Sequence, residues 1–251
     1  MHISIITVCM NCIGPLKQTV NSVIAQNFEG VDMEYIIVDG GSDDGTVTFL
    51  KDLSDEYSFI KYTSEKDTGI YDAMNKGLRF AKGKIVNFLN AGDSYCRNDV
   101  IKEVWLNYTL GYTLIYGDIY VSYGSKQSLV SGSNSPYRDI HKGMCICHQS
   151  MFVARDIYPV HADLRFKAEW LALKTIIFKG KAKLIKLKNP VVLYQLGGFG
   201  EIHWKDNLIE FKKVYKKEFG VMRYFFNYHN FLRVYLKMSA KSVRRAIFAK
   251  S

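Results

Sequence analysis

The chain has no run of about 18 or more apolar residues, the length a helix needs to cross a bilayer, so no membrane span is predicted. Its start lacks a basic segment followed by a long apolar stretch and a small-residue cleavage site. It opens instead on the strand-like Ser4-Ile5-Ile6-Thr7-Val8, and the expected compartment is the cytoplasm. Five cysteines are too few and too unevenly placed for a disulfide scaffold. Cys9-Met10-Asn11-Cys12 has the C-x-x-C spacing of a redox pair, and Cys145, Cys147 and His148 could complete a zinc site; the plainer expectation is small buried thiols at strand ends, because zinc sites usually show two well-spaced ligand pairs. Neither the dinucleotide fingerprint G-x-G-x-x-G nor the phosphate loop G-x-x-x-x-G-K-[ST] occurs. Internal repeats and low-complexity linkers are absent as well.

What is present is a globular composition, 48% hydrophobic and 23% charged in 251 residues, enough for a real core. The net charge of +10 is uneven: the first hundred residues carry a modest acidic excess, and Lys and Arg crowd the chain from Lys174 onward. A one-sided basic region points to a polyanionic surface, either nucleic acid or anionic lipid.

The pattern predicts a strand over Ile3 to Cys9, a helix opened by Pro15 with Leu16, Val20, Val23 and Ile24 inward, and a strand Tyr35 to Val38 ending at Asp39. Then come a helix from Thr46 to about Glu56, a strand Phe59 to Thr63, a helix Ile70 to Ala81, a strand from Ile85 toward Asp93, and a helix across Asn98 to Tyr108. Strand and helix alternating through short connections give a parallel sheet covered by helices. Right-handed crossovers place Cys9, Asp39 and Asp93 on one rim, where ligands of open α/β sheets collect. Beyond Thr113 one strand is expected over Leu114 to Tyr123, with a loop at Ser131 to Ser135, mixed strands to about Val153, a helix Glu169 to Phe178, and strands near Lys183 to Leu187 and Val191 to Leu196.

Asp93, at the end of Lys84-Ile85-Val86-Asn87-Phe88-Leu89-Asn90-Ala91-Gly92-Asp93, is read as a metal ligand completed by a diphosphate, since magnesium takes one or two protein carboxylates plus waters and phosphates. A helix-capping aspartate is the alternative. The loop Gly40-Gly41-Ser42-Asp43-Asp44-Gly45-Thr46 is too acidic for bare pyrophosphate and suits hydrogen bonds to a base or ribose.

Several segments together, TVCMN, QTVNSVIAQNF, EYIIVDGGSDDGT, SEKDTGIYDAMNKGLRFAKGKIVNFLNAGD and CHQSMF, resemble the family 2 glycosyltransferases with the nucleotide-sugar-binding GT-A fold, especially the branch that builds bacterial surface polysaccharides. The likeness is dense from Met1 to about Asp93 and patchy to Phe199. It implies a Rossmann-like, mostly parallel α/β sheet in a domain over 1–203, with a nucleotide half to about residue 95 and an acceptor half after it. It implies nucleotide contacts from Thr7, Cys9, Asn11, Asp39, Asp67, Asn75, Ala91 and Gly92, and Mn²⁺ or Mg²⁺ at Asp93. Asn90 and Gly92 stand where acidic residues are common. The general base is expected at Glu169, with Asp163 the second choice and His148 near the acceptor. The implied reaction is inverting transfer from a nucleotide sugar, UDP first, to a glycan or polyprenyl-diphosphate-linked acceptor.

The segment 204–251 is expected to be a helical, basic tail. On a helix, Arg233, Lys237, Lys241, Arg244 and Arg245 fall on one side and Leu232, Tyr235, Leu236, Val243, Ala246 and Ile247 on the other. That face suits an anionic membrane, on the inner side of the plasma membrane; packing on the domain or a partner is the alternative. No nucleic-acid platform is legible. The competing functions are a sugar-1-phosphate nucleotidyltransferase, which would want a Gly- and Arg-rich loop after the first strand, and a non-catalytic membrane- or polymer-binding protein that keeps the fold.

Overall fold

Seven consecutive residues, Ile3–Cys9, form β1, and all are buried. Alternate side chains of a strand leave by opposite faces. Ile3, Ile5 and Cys9 therefore join one apolar cluster, and Ile6 and Val8 join another. A strand that is apolar on both faces needs cover on both. Helices α1 (Ile13–Ile24) and α2 (Thr46–Glu56) cover the first face through Leu16, Val20, Val23, Leu50 and Leu53. Helix α3 (Ile70–Phe80) covers the second through Tyr71, Ala73 and Met74.

The structure, a computed structural model, describes residues 2–108, 113–123, 126–160, 163–179 and 181–220. After β1 come β2 (Met33–Asp39), β3 (Ile60–Ser64), β4 (Ile85–Phe88) and the short β5 (Ser94–Tyr95). They are followed by α4 (Val100–Asn107), β6 (Thr113–Tyr116), β7 (Ile119–Tyr123), β8 (Lys126–Val130), α5 (Pro136–Asp139) and β9 (Met151–Ala154). The described chain closes with α6 (Ala168–Phe178), β10 (Lys183–Lys186), β11 (Val192–Gln195), α7 (Phe199–Ile202) and α8 (Trp204–Phe219).

The larger sheet runs β10-β6-β9-β4-β1-β2-β3 and the smaller β5-β11-β7-β8. In the larger one only β9 runs antiparallel to its neighbours, β4 and β6. This is the expected α/β architecture, a mostly parallel sheet between helices. Register sets the rim: Cys9 lies opposite Asp39, and Asp39 opposite Ser64, at the carboxyl ends of three parallel strands.

The expected single strand from Leu114 to Tyr123 is instead two strands in different sheets. The chain turns at Gly117 and Asp118, where a Cβ on Gly117 would stand 2.8 Å from the Val191 side chain. The Asp118 carbonyl accepts Val191 N–H at 2.9 Å, and its carboxylate takes Ser131 Oγ at 2.9 Å and Gly132 N–H at 3.1 Å. Likewise residues 136–150 hold helical turns rather than further strands, because Pro136 opens a helix turn at Ser135.

Helix α8 packs Leu208, Phe211, Val214 and Tyr215 against Trp170, Leu173 and Ile177 of α6 in one cluster. Ring centroids of Trp170 and Phe211 are 5.1 Å apart. The first turns of the expected tail are thus built into the domain's core. Arg233, Lys237, Lys241, Arg244 and Arg245, with the apolar face opposite them, lie outside the described residues. Among the described residues no helix is long and apolar enough to cross a membrane.

Candidate active site

The turn that follows β4 is hung from α1 by a single hydroxyl. Thr19 Oγ1 donates to the Asp93 carbonyl at 2.7 Å and accepts Gly92 N–H at 2.9 Å. Gly92 has φ +100°, a backbone state that favours glycine. Asp93 N–H closes the turn on the Asn90 carbonyl at 3.0 Å. The result aims the Asp93 side chain inward, where it is 4% exposed.

Two donors reach that carboxylate. Gln149 Nε2 donates to Oδ2 at 2.9 Å and Gln195 N–H to Oδ1 at 2.9 Å. Burial outweighs both and pushes the Asp93 pKa up to about 7. Gln149 is itself held, with Oε1 accepting Cys147 Sγ–H at 2.8 Å. Asn87, a polar residue in the otherwise apolar β4, donates from Nδ2 to the carbonyls of Gln149 at 2.9 Å and Met151 at 2.8 Å.

A second set of side chains adjoins the first. Tyr71 OH donates to Glu169 Oε2. Glu169 Oε1 is 3.7 Å from His148 Nε2, which lies 3.2 Å from Asn90 Nδ2. Burial lowers the His148 pKa, although Glu169 opposes the shift. The imidazole is therefore neutral near pH 7, and its approach to Glu169 is not an ion pair. Asn90 Oδ1 is buried without a hydrogen-bond partner.

A third set shapes the rim at β1, β2 and β3. Asp39, fully buried, accepts Gly41 N–H at 3.1 Å, Ser42 N–H at 2.9 Å, Ser64 Oγ–H at 2.7 Å and the Ser42 hydroxyl. Burial alone would raise its pKa, but these donors together hold it below the ordinary value. Asn11, at φ +48°, clips the loop across the rim: its N–H donates to Ser42 Oγ at 2.7 Å and its Oδ1 accepts Asp43 N–H at 2.9 Å. Asp67 accepts Gly69 N–H at 2.9 Å and lies against Gly40, where a Cβ would come within 2.6 Å of its Oδ2. The Cys9 thiol donates to Asp39 Oδ1 at 3.7 Å, and its proximity to Cys12 lowers the Cys12 pKa.

The expected site residues thus divide. Asp93, His148 and Glu169 come together, joined by Gln149 and Asn90, which were not among them, and Asp39, Asn11, Cys9 and Asp67 share the rim. Ala91 and Gly92 form the turn between Asn90 and Asp93, and Asn75 is half-buried on α3. Thr7 is inside the core, its hydroxyl 2.9 Å from Tyr35 OH and 2.5 Å from the Leu89 carbonyl, to which it donates. Asp163 is exposed, and no hydrogen bond from it to the Glu169 set is found among the described residues. Thr19 and Tyr71 were not singled out from the sequence for these roles. Their partners lie 74 and 98 residues away, and no local pattern marks such contacts.

Among the described residues no group of three or more His, Cys, Asp and Glu could hold a metal ion. The donors present, one buried carboxylate and the unpartnered Asn90 Oδ1 in the same turn, are hard oxygens. They fit Mg²⁺ or Mn²⁺ provided that substrate phosphates and water fill the other positions.

Residues 4–165 match the family described as glycosyl transferase family 2. An uncharacterized glycosyltransferase of Mycobacterium tuberculosis is 40% identical over 101 residues, 40% of this chain and 37% of that protein. A PGL/p-HBAD biosynthesis glycosyltransferase of Mycobacterium bovis is 30% identical over 177 residues, 66% of each. The chain thus spans little more than a third of the first relative's length. Among solved structures, S. aureus TarS 1–349 with UDP-GlcNAc superposes at TM-score 0.69 and 15% identity, over 87% of this chain and 66% of that one. The mannosyltransferase PcManGT of Pyrobaculum calidifontis, with GDP-Man and Mn²⁺, superposes at 0.61 and 15% identity, over 100% of this chain and 76% of that one.

Proposed function

The chain belongs to glycosyl transferase family 2, and from that membership we propose that it moves a sugar from a nucleoside-diphosphate sugar, UDP-linked in the first instance, to a hydroxyl of a lipid-linked bacterial surface glycan. One observation carries this. The dipeptide His148-Gln149 joins the two carboxylates: Gln149 holds Asp93 at 2.9 Å, and His148 stands 3.7 Å from Glu169. A group suited to a cation and a group suited to a proton are so placed within one cluster.

Each side chain then has a task. Asp93 and Asn90 Oδ1 would hold a divalent cation, Mn²⁺ or Mg²⁺, which when bound would stabilise negative charge on the departing diphosphate. Tyr71 occupies Glu169 Oε2, leaving Oε1 to accept the proton of the acceptor hydroxyl. The acceptor oxygen bonds to the anomeric carbon as that carbon's bond to the phosphate oxygen breaks. The electron pair leaves with the nucleoside diphosphate, and configuration inverts. Asp39 and its loop shape the nucleoside end of the rim. The UDP-GlcNAc held by TarS and the GDP-Man and Mn²⁺ held by PcManGT support donor and cation of these kinds.

We assign the protein to the cytoplasmic face of the plasma membrane as a peripheral protein, a reading that the basic outward side of α8 supports. Lys205, Ile209, Lys213, Lys216 and Lys217 are exposed on the outward side of α8, the helix that leads into the basic tail. Deleting residues 222–251 is expected to lower sedimentation with anionic vesicles, and unchanged binding would remove that assignment.

The catalytic proposal is tested by UDP release from a panel of UDP-hexoses and UDP-N-acetylhexosamines with Mn²⁺. The wild type is expected to turn over one of them, and Asp93→Ala and Glu169→Ala are expected to stop. Full turnover in both variants refutes the assignments. Failure of any nucleoside diphosphate to raise the melting temperature, with or without Mn²⁺, favours a non-catalytic protein that keeps the fold.

A further inference from the structure

Helix α6 begins poorly. Its N-cap residue is Lys167, which makes no side-chain capping bond and has no oxygen to offer the exposed N–H groups of the first turn. The backbone that leads into this helix is held instead from a distant element. Glu210, on α8, accepts three consecutive backbone N–H groups: Arg165 at 2.9 Å on Oε2, and Phe166 at 2.8 Å and Lys167 at 2.9 Å on Oε1. The carboxylate lies just ahead of the α6 N-terminus, where the helix dipole favours negative charge. Two residues beyond the last of these N–H groups is Glu169.

The two helices are joined at other points too. Lys174 Nζ donates to Glu218 Oε2 at 2.5 Å, and Trp170 packs on Phe211 and Tyr215. The Lys174–Glu218 pair and the packing of Trp170 fix how the helices lie together, and Glu210 holds the backbone that leads into the first turn of α6. The position of Glu169 depends on that start, because its side chain must meet Tyr71 on α3 and stand beside His148.

We infer that Glu210 is a positioning residue for the transfer: it sets the backbone from which Glu169 reaches the acceptor, and so makes α8 part of the catalytic frame. This rests on Glu169 being the base. A displacement of about 1 Å at a catalytic group lowers rates on the order of a hundredfold, so loss of the clamp acts on the chemical step and not on donor affinity.

The test uses the full chain. Glu210→Ala is expected to lower kcat for UDP release by about 10- to 100-fold with the donor KM unchanged. Glu210→Gln keeps an Oε1 acceptor for Phe166 and Lys167 and should recover most of that loss. Glu218→Gln, which loosens the same helix pair away from Glu169, should lower the melting temperature and leave kcat as it was. Hydrogen exchange supplies a reading that needs no substrate: Glu210→Ala should speed exchange at residues 165–171, and Glu218→Gln should not. A wild-type kcat in Glu210→Ala, equal kcat losses in Glu210→Ala and Glu218→Gln, or unchanged exchange at 165–171 overturns the inference. If Glu169→Gln retains turnover, the base assignment fails, while the exchange result still decides whether Glu210 anchors this segment.

Discussion

Replacing Asp93 by asparagine should stabilise the protein at high pH while stopping catalysis. The Asp93 carboxyl has an ordinary pKa of 3.8 and is pushed up to about 7 by burial. Between those values the unfolded chain has lost the proton and the folded chain keeps it, so wild-type stability falls as pH rises through the window and levels off above about 7. At about 1.4 kcal/mol per pH unit, the penalty at pH 8 is about 4 kcal/mol. Asparagine does not ionise and escapes it.

A local loss works the other way. Gln149 Nε2 now donates to Asp93 Oδ2, and it would face either an amide NH₂ or a rotation that gives up the Cys147 contact. That costs about 1–3 kcal/mol, the same at every pH. Comparing two pH values cancels it. Urea unfolding of both proteins at pH 5 and pH 8 should show the stability of Asp93→Asn relative to wild type rising by about 2–3 kcal/mol from the lower pH to the higher. A rise under about 1 kcal/mol, or a fall, would falsify the claim that Asp93 is a buried, poorly compensated carboxylate.

Three further outcomes follow from the same geometry. Nucleotide affinity in the presence of Mn²⁺, followed by calorimetry with UDP, should fall by up to about tenfold per pH unit below pH 7, because a proton then competes with the cation for Asp93. Thr19→Val keeps the side-chain shape but leaves Gly92 N–H without its acceptor, and should lose about 1–3 kcal/mol in urea unfolding together with much of the turnover. Asp39 has the opposite sign to Asp93. Its folded pKa is lowered by Ser42, Ser64 and two backbone N–H groups against the cost of burial, so its contribution is present above pH 3.8 and is lost as pH falls through the folded value. Asp39→Asn should therefore be less stable than wild type at pH 7, with the gap narrowing toward pH 3 in thermal unfolding.

Much of the frame could be read along the chain. The helix from Thr46 to Glu56 and the strand from Ile3 to Cys9 begin and end where the pattern puts them, because mostly apolar strands and amphipathic helices state their own burial. Parallel crossovers then required Cys9 and Asp39 to share a rim, and the register places them opposite each other. The break at Gly117 was not legible. It depends on Val191, just ahead of β11, approaching from more than seventy residues later.

Taken alone, the order of residues determined the α/β layering and the family and nominated the two carboxylates at issue, since periodicity and motif are local properties. Only the folded chain decided what surrounds those carboxylates. Asp93 meets Gln195 across 102 residues, Glu169 meets Tyr71 across 98, and Glu210 clamps the backbone ahead of Glu169 from 43 to 45 residues away. Burial and hydrogen-bond partners set a carboxylate's proton affinity and aim, and both are supplied by neighbours in space that the chain order does not announce.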